Sequence, residues 1–209
     1  MKICLLTENY YRGGLDTFII NLINHWPKND DEFTLICNSS HPGLADIKKK
    51  LNKKIKFIKY NFFFSSALTN GFSKYYVFRL LPFRVFFRVL NKILDFPILF
   101  FLYIWFFNNF FQKYSFDKFL SINGGYPASL ICRTSVISWN KRYGNKNCFF
   151  LFHSRAMKVK GNFRMIEKYI DKKVYGSSKI LITVSRNCLN SLSERSPYLP
   201  KKKLHFIYN

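Results

Sequence analysis

The sequence predicts an α/β fold built around a doubly wound parallel sheet. Short apolar runs of strand type alternate along its 209 residues with stretches whose apolar residues recur at helical spacing. Four of the strand-type runs end directly at polar or glycine-rich turns. Such alternation is typical of βαβ units, whose strands all end at the same edge of the sheet. We therefore expect a Rossmann-like domain with a site at that edge.

The N-terminal stretch carries the clearest pattern. Residues 3–6 are a nearly unbroken apolar run that predicts a buried strand, and Gly13-Gly14 supplies a flexible turn. A strand, a glycine turn and a helix in this order form the opening half of a βαβ unit. The helix is predicted by apolar residues at steps of three and four: Phe18, Ile19, Leu22, Ile23 and Trp26.

The next elements continue the alternation. Residues 33–37 predict a second strand, and residues 44–51 predict a short basic helix. Residues 55–60 alternate apolar and basic side chains, which is typical of a half-exposed strand near the edge of a sheet.

Residues 61–113 are an aromatic-rich insert with a helical pattern. Arg84, Arg88 and Lys92 are spaced by four and share one helical face, which predicts a basic amphipathic helix. We expect these three residues and Trp105 to contact an anionic membrane surface. Residues 98–111 would span about 21 Å as a helix, whereas the hydrocarbon core of a bilayer is about 30 Å thick. They are too few to cross it, and burial in the core and docking on a membrane both stay open.

The second half of the chain returns to strand and helix. Ser185 directly follows a strand-type run and is predicted to cap the helix after it. The predicted strands are 116–122, 148–152, 179–184 and 204–207, and the predicted helices are 128–139, 163–175 and 187–195.

Charge and cysteine usage limit the partners and the compartment. The net charge of +23 favours anionic partners, although a compositional bias toward lysine would raise the charge without any function. The five cysteines are odd in number and lack a C-x-x-C pair, so we expect neither disulfides nor a metal site. Cys4, Cys37 and Cys148 lie in strand-type runs, where a thiol acts as a small apolar group. With no signal-peptide pattern, we expect a reducing, cytoplasmic location.

Turn residues after the predicted strands are the candidate site. Gly13 and Gly14 would let a phosphate approach a helix N-terminus, or they are an ordinary tight turn. Residues 123–126 would frame a pocket for a substrate, or they are another glycine turn. The members of this second turn are Asn123, Gly124, Gly125 and Tyr126.

Polar side chains follow the later strands as well. Arg155 and Arg186 are candidate phosphate clamps, with solvated surface arginines as the alternative. Ser185 is a candidate substrate contact besides its predicted capping role. Ser154, which follows His153 directly after a buried strand, is a further candidate substrate contact. The other histidines, His25, His41 and His205, are interpreted as structural or solvated.

Several segments, in order, resemble the N-terminal, acceptor-side domain of GT-B glycosyltransferases of the family-4 type. They are KICLLTENYYRGGLDTFIINL, FDKFLSING, FHS, YIDKKVYGSSKILITVSRNCLNSL and KKKLHFIYN. The resemblance implies that His153 lines the cleft and acts in catalysis by orienting an acceptor hydroxyl or binding the donor. It also implies retaining, metal-independent chemistry without a cofactor, with a nucleotide-sugar as donor substrate.

The resemblance also implies a second domain that holds most of the nucleotide-sugar. The sequence ends where that domain would begin, so we expect residues 1–209 to be one acceptor-binding domain that is inactive alone. The expected function is sugar transfer to a lipid-linked or polysaccharide acceptor at the cytoplasmic membrane face. A non-catalytic membrane-binding module or an inactive remnant is the alternative. A nucleic-acid binder ranks last, because no nucleic-acid-binding motif is present.

Overall fold

The fold is described by a computed structural model that covers residues 1–9, 12–61, 98–127, 129–159 and 164–208. Within these ranges the strands form one seven-stranded sheet in which every neighbouring pair is parallel. The strands are β1 Lys2–Thr7, β2 Glu32–Asn38, β3 Lys56–Tyr60, β4 Lys118–Asn123, β5 Cys148–Phe152, β6 Ile180–Thr183 and β7 Leu204–Phe206. The predicted α/β, Rossmann-like fold is confirmed.

The helices alternate with the strands as predicted, with small shifts of their ends. The helix predicted at 128–139 continues to Tyr143. It ends there because the next residue, Gly144, has a positive φ (72°), a conformation that terminates helices and that glycine adopts readily. The helices are α1 Gly14–Asn24, α2 Leu44–Lys50, α3 Phe100–Lys113, α4 Leu130–Tyr143, α5 Arg164–Ser177 and α6 Arg186–Arg195.

The strand order β3-β2-β1-β4-β5-β6-β7 places a topological switch point between β1 and β4. On one face, α1 and α2 bury Ile19 and Ile47 against Leu5 and Leu35. Helices α3 to α6 pack on the opposite face. The chain therefore leaves β1 and β4 toward opposite faces. In open α/β sheets the carboxyl ends at such a switch point are where ligands bind.

The described part of the aromatic insert is α3, and it belongs to the core. Its inner face buries Phe100, Tyr103, Phe107, Phe110 and Phe111. The ring centroid of Phe111 lies 5.3 Å from that of Trp139 in α4. Burial, one of the two readings left open, is thus confirmed for this face of the helix.

Of the four residues predicted to contact a membrane, Trp105 is the one that lies among the described residues, and the contact itself stays a prediction. The predicted basic helix with Arg84, Arg88 and Lys92 lies outside the described residues. Trp105 is described, and its side chain is 63% exposed on the outer face of α3. Within the described ranges, no helix has both the length and the apolar character needed to cross a membrane.

The face of the sheet that carries α1 has an apolar cavity of about 320 Å³ over β4, β5 and β6. Phe18 of α1 and Trp26, which follows the end of that helix, form one wall, and Leu120, Leu151 and Ile182 form the floor. The described helices that follow these three strands pack on the other face, so α1 is the helix that borders this cavity.

All five cysteines are buried free thiols. Cys4, Cys37 and Cys148 lie in β1, β2 and β5, as small apolar groups of the predicted kind. Burial raises the pKa of Cys37 to about 11 and that of Cys132 to about 12. These two thiols are therefore protonated at neutral pH and serve packing.

Candidate functional site

Four predicted turns meet along one edge of the sheet. They follow β1, β4, β5 and β6, which lie next to one another in the sheet and are all parallel. Their carboxyl ends therefore lie side by side, and the switch point between β1 and β4 falls within the row. Among the described residues, no group of three His, Cys, Asp or Glu side chains is placed to hold a metal ion.

The glycine pair forms the N-terminus of α1. Helix α1 begins at Gly14, and its N-cap Gly13 has a φ of 175°, which is extended backbone open to any residue. A Cβ atom added at either glycine would meet no atom within 4 Å. Packing within the described chain therefore does not require glycine here, and the missing side chains leave the helix N-terminus open to a ligand.

Asp16, which was not predicted as a site residue, holds the N-terminus of α1 in place through hydrogen bonds. Its carboxylate accepts a hydrogen bond from the backbone N–H of Gly13 (3.3 Å) and one from Asn9 Nδ2 (3.4 Å). His41 Nε2 lies 3.4 Å from Asp16 Oδ1, and His41 Nδ1 accepts the N–H of Gly43 (3.1 Å). Burial lowers the pKa of His41, so the imidazole is neutral and carries its proton on Nε2. His41 is structural, as predicted.

The turn after β4 is held by its own asparagine. Asn123 Oδ1 accepts the N–H of Gly124 (2.9 Å), and Asn123 Nδ2 donates to the carbonyl of Gly125 (2.8 Å). Ser154 Oγ donates to the carbonyl of Gly124 (2.7 Å), and the N–H of His153 donates to the carbonyl of Asn123 (3.3 Å). The structure thus joins two of the predicted clusters, 123–126 and 153–154, into one surface.

His153 connects this surface to α1. The residue directly follows β5, and its half-buried ring meets the ring of Phe18 edge-on at a centroid distance of 4.6 Å. Burial lowers the pKa of His153. At neutral pH the imidazole is therefore uncharged, and a neutral imidazole can accept a proton from a hydroxyl.

The remaining predicted residues follow the carboxyl ends of β5 and β6. Ser185 caps α6 by accepting the N–H of Cys188 (3.2 Å), which confirms its predicted capping role. Arg155 is exposed, and the exposed guanidinium of Arg186 lies 5.5 Å from the ring centroid of Phe206. The role of both arginines as phosphate clamps stays a prediction.

Glu8 is a buried carboxylate at the switch point that the sequence analysis did not select. It follows β1 directly, is 4% exposed and accepts a hydrogen bond from Ser129 Oγ. Ser129 also caps α4 by accepting the N–H of Cys132 (3.0 Å). A carboxylate directly after a buried strand was the available signal, because a charged group in that position is rarely buried without a role.

A buried network of charged side chains contacts the turn after β4 through Tyr126. Tyr126 donates to Asp171 Oδ1 (2.8 Å), and Arg195 Nε donates to Asp171 Oδ2 (2.9 Å). Glu167 Oε2 accepts from Arg195 Nη2 (2.8 Å) and from Arg133 Nη1 (2.9 Å). Two guanidinium groups thus face two carboxylates, and the network ties Tyr126 to α4, α5 and α6.

Two solved structures share this architecture. One is a UDP-GlcNAc 2-epimerase from Neisseria meningitidis bound to UDP-GlcNAc, with a TM-score of 0.55 and 9% sequence identity. The other is a glycosyltransferase from Rickettsia africae ESF-5, with a TM-score of 0.57 and 13% identity. The fold is that of one half of a GT-B enzyme.

The match takes in the whole of this chain but less than half of either neighbour. It covers 99% of this chain and 46% of the epimerase, and 100% of this chain and 42% of the glycosyltransferase. The sequence matches no family model and no curated protein. The GT-B-like domain is therefore established by its fold, at sequence identities that show the fold alone.

Proposed function

We propose that this chain is the acceptor-side domain of a family-4 type glycosyltransferase. It would act with a nucleotide-sugar donor that is held mainly by a second domain, and it would transfer a hexose with retention of configuration. The observation that carries the proposal is the open N-terminus of α1 at the switch point. Support comes from the GT-B neighbours, one of which is a glycosyltransferase and the other of which binds UDP-GlcNAc.

The chemistry we propose is a displacement at the anomeric carbon. The bond from this carbon to the diphosphate oxygen breaks, and a bond to the acceptor oxygen forms on the same face of the sugar, as retention requires. The acceptor proton passes to an oxygen of the departing diphosphate. The N–H of Gly14 would stabilise negative charge on the departing diphosphate, because the N-terminus of a helix favours anions. The N–H of Gly13 is already bonded to Asp16, so Gly13 would contribute by leaving the approach to the helix open. His153, neutral at neutral pH, would orient the acceptor hydroxyl or bind the donor sugar.

The turn at residues 123–126 and Ser154 would shape the acceptor pocket. Asn123 and Ser154 already use their side chains to fix this turn, so their contribution is a rigid backbone surface. We further propose that the acceptor is lipid-linked or a polysaccharide at the cytoplasmic face of a membrane. The net charge of +23 supports an anionic membrane surface as the partner.

The first experiment compares two histidines. The complete product of the gene is incubated with UDP-GlcNAc and cell membranes, and the release of UDP is measured. We expect His153→Asn to lower the rate at least about 100-fold, the usual scale for loss of a group that acts in proton transfer or positioning. His205→Asn, which alters an exposed histidine of edge strand β7, is the control and should leave the rate unchanged. Equal rates for both variants would contradict the role of His153.

A second pair of variants tests the glycines. Gly14→Ala adds a methyl group at the open N-terminus, whereas Gly176→Ala adds one near the end of α5; neither Cβ meets an atom within 4 Å. We expect both variants to fold normally and only Gly14→Ala to weaken binding of the donor. Full donor affinity in Gly14→Ala would refute the phosphate role of this turn.

The alternative function is a non-catalytic membrane-binding module or an inactive remnant of a transferase. The reading frame beyond the codon for Asn209 separates the two proposals. A continuing frame that encodes a second βα domain with paired glutamates supports the transferase. A genuine stop codon, with no such domain encoded nearby, supports the alternative.

A further inference from the structure

We infer that the outer face of α3 is the surface by which this domain docks on an anionic lipid bilayer. The docking face is defined by Phe101, Leu102 and Trp105 of α3, which are 60%, 42% and 63% exposed, together with Ile98 just before the helix, which is 58% exposed. At 3.6 residues per turn the three helical positions fall within about 100° of one another around the helix axis. Exposed apolar patches of this kind mark interaction surfaces.

The opposite face of α3 fixes the orientation of the docking face. Phe100, Tyr103 and Phe107 are buried in the core, and α4 holds the helix through Ser138, whose Oγ donates to the carbonyl of Ile104 (3.2 Å). Rotation of the helix to hide Trp105 would expose these buried rings. The docking face is therefore a fixed property of the folded domain.

The polarity of α3 changes along its length. The docking face occupies its first two turns, and the same side continues with Asn109, Gln112 and Lys113. A helix with this gradient inserts its apolar end into the boundary between headgroups and acyl chains and leaves its polar end in the headgroups. Trp105 has an amphipathic ring of the kind that settles at this depth.

Charge selects a bilayer as the partner. Neither α3 nor α4, which packs beside it, contains an aspartate or glutamate. Exposed cations lie where both helices end, namely Lys113 on α3 with Lys141 and Arg142 on α4. Anionic headgroups attract such cations. A second copy of this chain, with the same excess of positive charge, would be repelled.

Docking through this face would bring the candidate site toward the membrane. Helix α3 ends just before β4 begins and therefore runs antiparallel to the strands, so its first turns point toward the carboxyl edge of the sheet. This inference deepens the proposed function, on which it rests, because it supplies a surface that presents the site to a membrane-bound acceptor.

The test is binding of the purified chain to vesicles, with no donor or acceptor present. Vesicles of phosphatidylcholine with and without phosphatidylglycerol are sedimented, and the bound protein is measured. We expect binding that depends on phosphatidylglycerol and falls about tenfold in Trp105→Ser, the scale of one large apolar side chain. Met165→Ser, which alters an 82% exposed side chain on α5, is the matched control and should bind like the unmodified chain.

Tryptophan fluorescence gives a second measurement. Trp139 is 1% exposed and Trp26 is half-buried, so a blue shift on vesicle binding would report Trp105. We expect Trp105→Phe to bind vesicles but lose the shift. Equal vesicle binding by Trp105→Ser and the unmodified chain would overturn the inference. So would a change in oligomeric mass caused by Trp105→Ser in lipid-free solution, because the face would then join two protein copies.

The two proposals can fail separately. Loss of vesicle binding leaves sugar transfer to soluble acceptors untouched. Vesicle binding without any transfer by the complete gene product refutes the proposed function alone.

Discussion

Arg195 offers the sharpest test of how the candidate site is supported. Its side chain is 2% exposed and donates to Asp171, Glu167 and the carbonyl of Met157 (2.6 Å). Arg195→Met keeps much of the side-chain volume and removes the charge. Asp171, which is fully buried, would then keep only the hydroxyl groups of Tyr126 and Ser196 as hydrogen-bond donors among these contacts.

The expected cost follows from what the substitution leaves behind. Removing one partner from a buried ion pair typically costs about 3–5 kcal/mol, because a carboxylate stays buried without its counter-ion. Lys158→Met is the matched control, since Lys158 pairs with Glu194 on the surface at side-chain exposures of 69% and 59%. Such an exposed pair contributes at most about 1 kcal/mol.

The assay is unfolding in urea monitored by circular dichroism, and the free energy of unfolding is obtained from its linear dependence on the urea concentration. A loss in Arg195→Met no greater than that in Lys158→Met would refute the reasoning about the network. Tyr126→Phe extends the test to the site, because it removes the hydroxyl that links the turn after β4 to Asp171. We expect a loss of about 1.5–3 kcal/mol for this variant, because the hydroxyl of Tyr126 bonds a buried carboxylate. We also expect a coupling energy with Arg195→Met above about 0.5 kcal/mol, because both groups bind Asp171.

Three further predictions concern single residues. Gly43→Ala should lower the free energy of unfolding by about 1–3 kcal/mol, because a Cβ there overlaps the buried carboxylate of Asp16; an unchanged melting temperature would contradict this. Burial lowers the pKa of His41. Below about pH 6.5 the unfolded chain therefore binds a proton at this residue that the folded chain does not bind, and the free energy of unfolding should fall as the pH drops through that value. His41→Asn should reduce this slope in urea titrations and leave the part that comes from His153, whose pKa is also lowered; an unaltered slope would disprove the assignment. Cys132, with a pKa raised to about 12, should react with a thiol reagent only after unfolding, and rapid labelling of the native protein would count against its burial.

Local patterns in the sequence were enough to predict the elements. The apolar run at residues 3–6, the glycine pair and the helical stripe after it predicted β1 and α1 because strand and helix periodicity are properties of neighbouring residues. Ser185 was predicted as a cap for the same reason. The position of His153 at the carboxyl edge followed once the strand before it was recognised.

Contacts between distant residues were beyond these patterns. Glu8 meets Ser129 across 121 positions of sequence, and Tyr126 meets Asp171 across 45. Whether a carboxylate is buried depends on which elements pack over it, and periodicity does not contain that information. The network around Arg195 and the role of Asp16 therefore became visible only in the structure.

The aromatic stretch of α3 shows the division most clearly. The length of this stretch determined that the helix is too short to span a bilayer, and its composition determined that the helix is too apolar to be fully solvated. Which side faces the core was decided by the fold, because only packing on α4 selects Phe107 and Phe111 for burial and leaves Trp105 outside. The sequence by itself determined the parallel α/β class and the turns of the candidate site. The tertiary structure decided which side chains meet there, because burial and charge pairing depend on residues far apart in the chain.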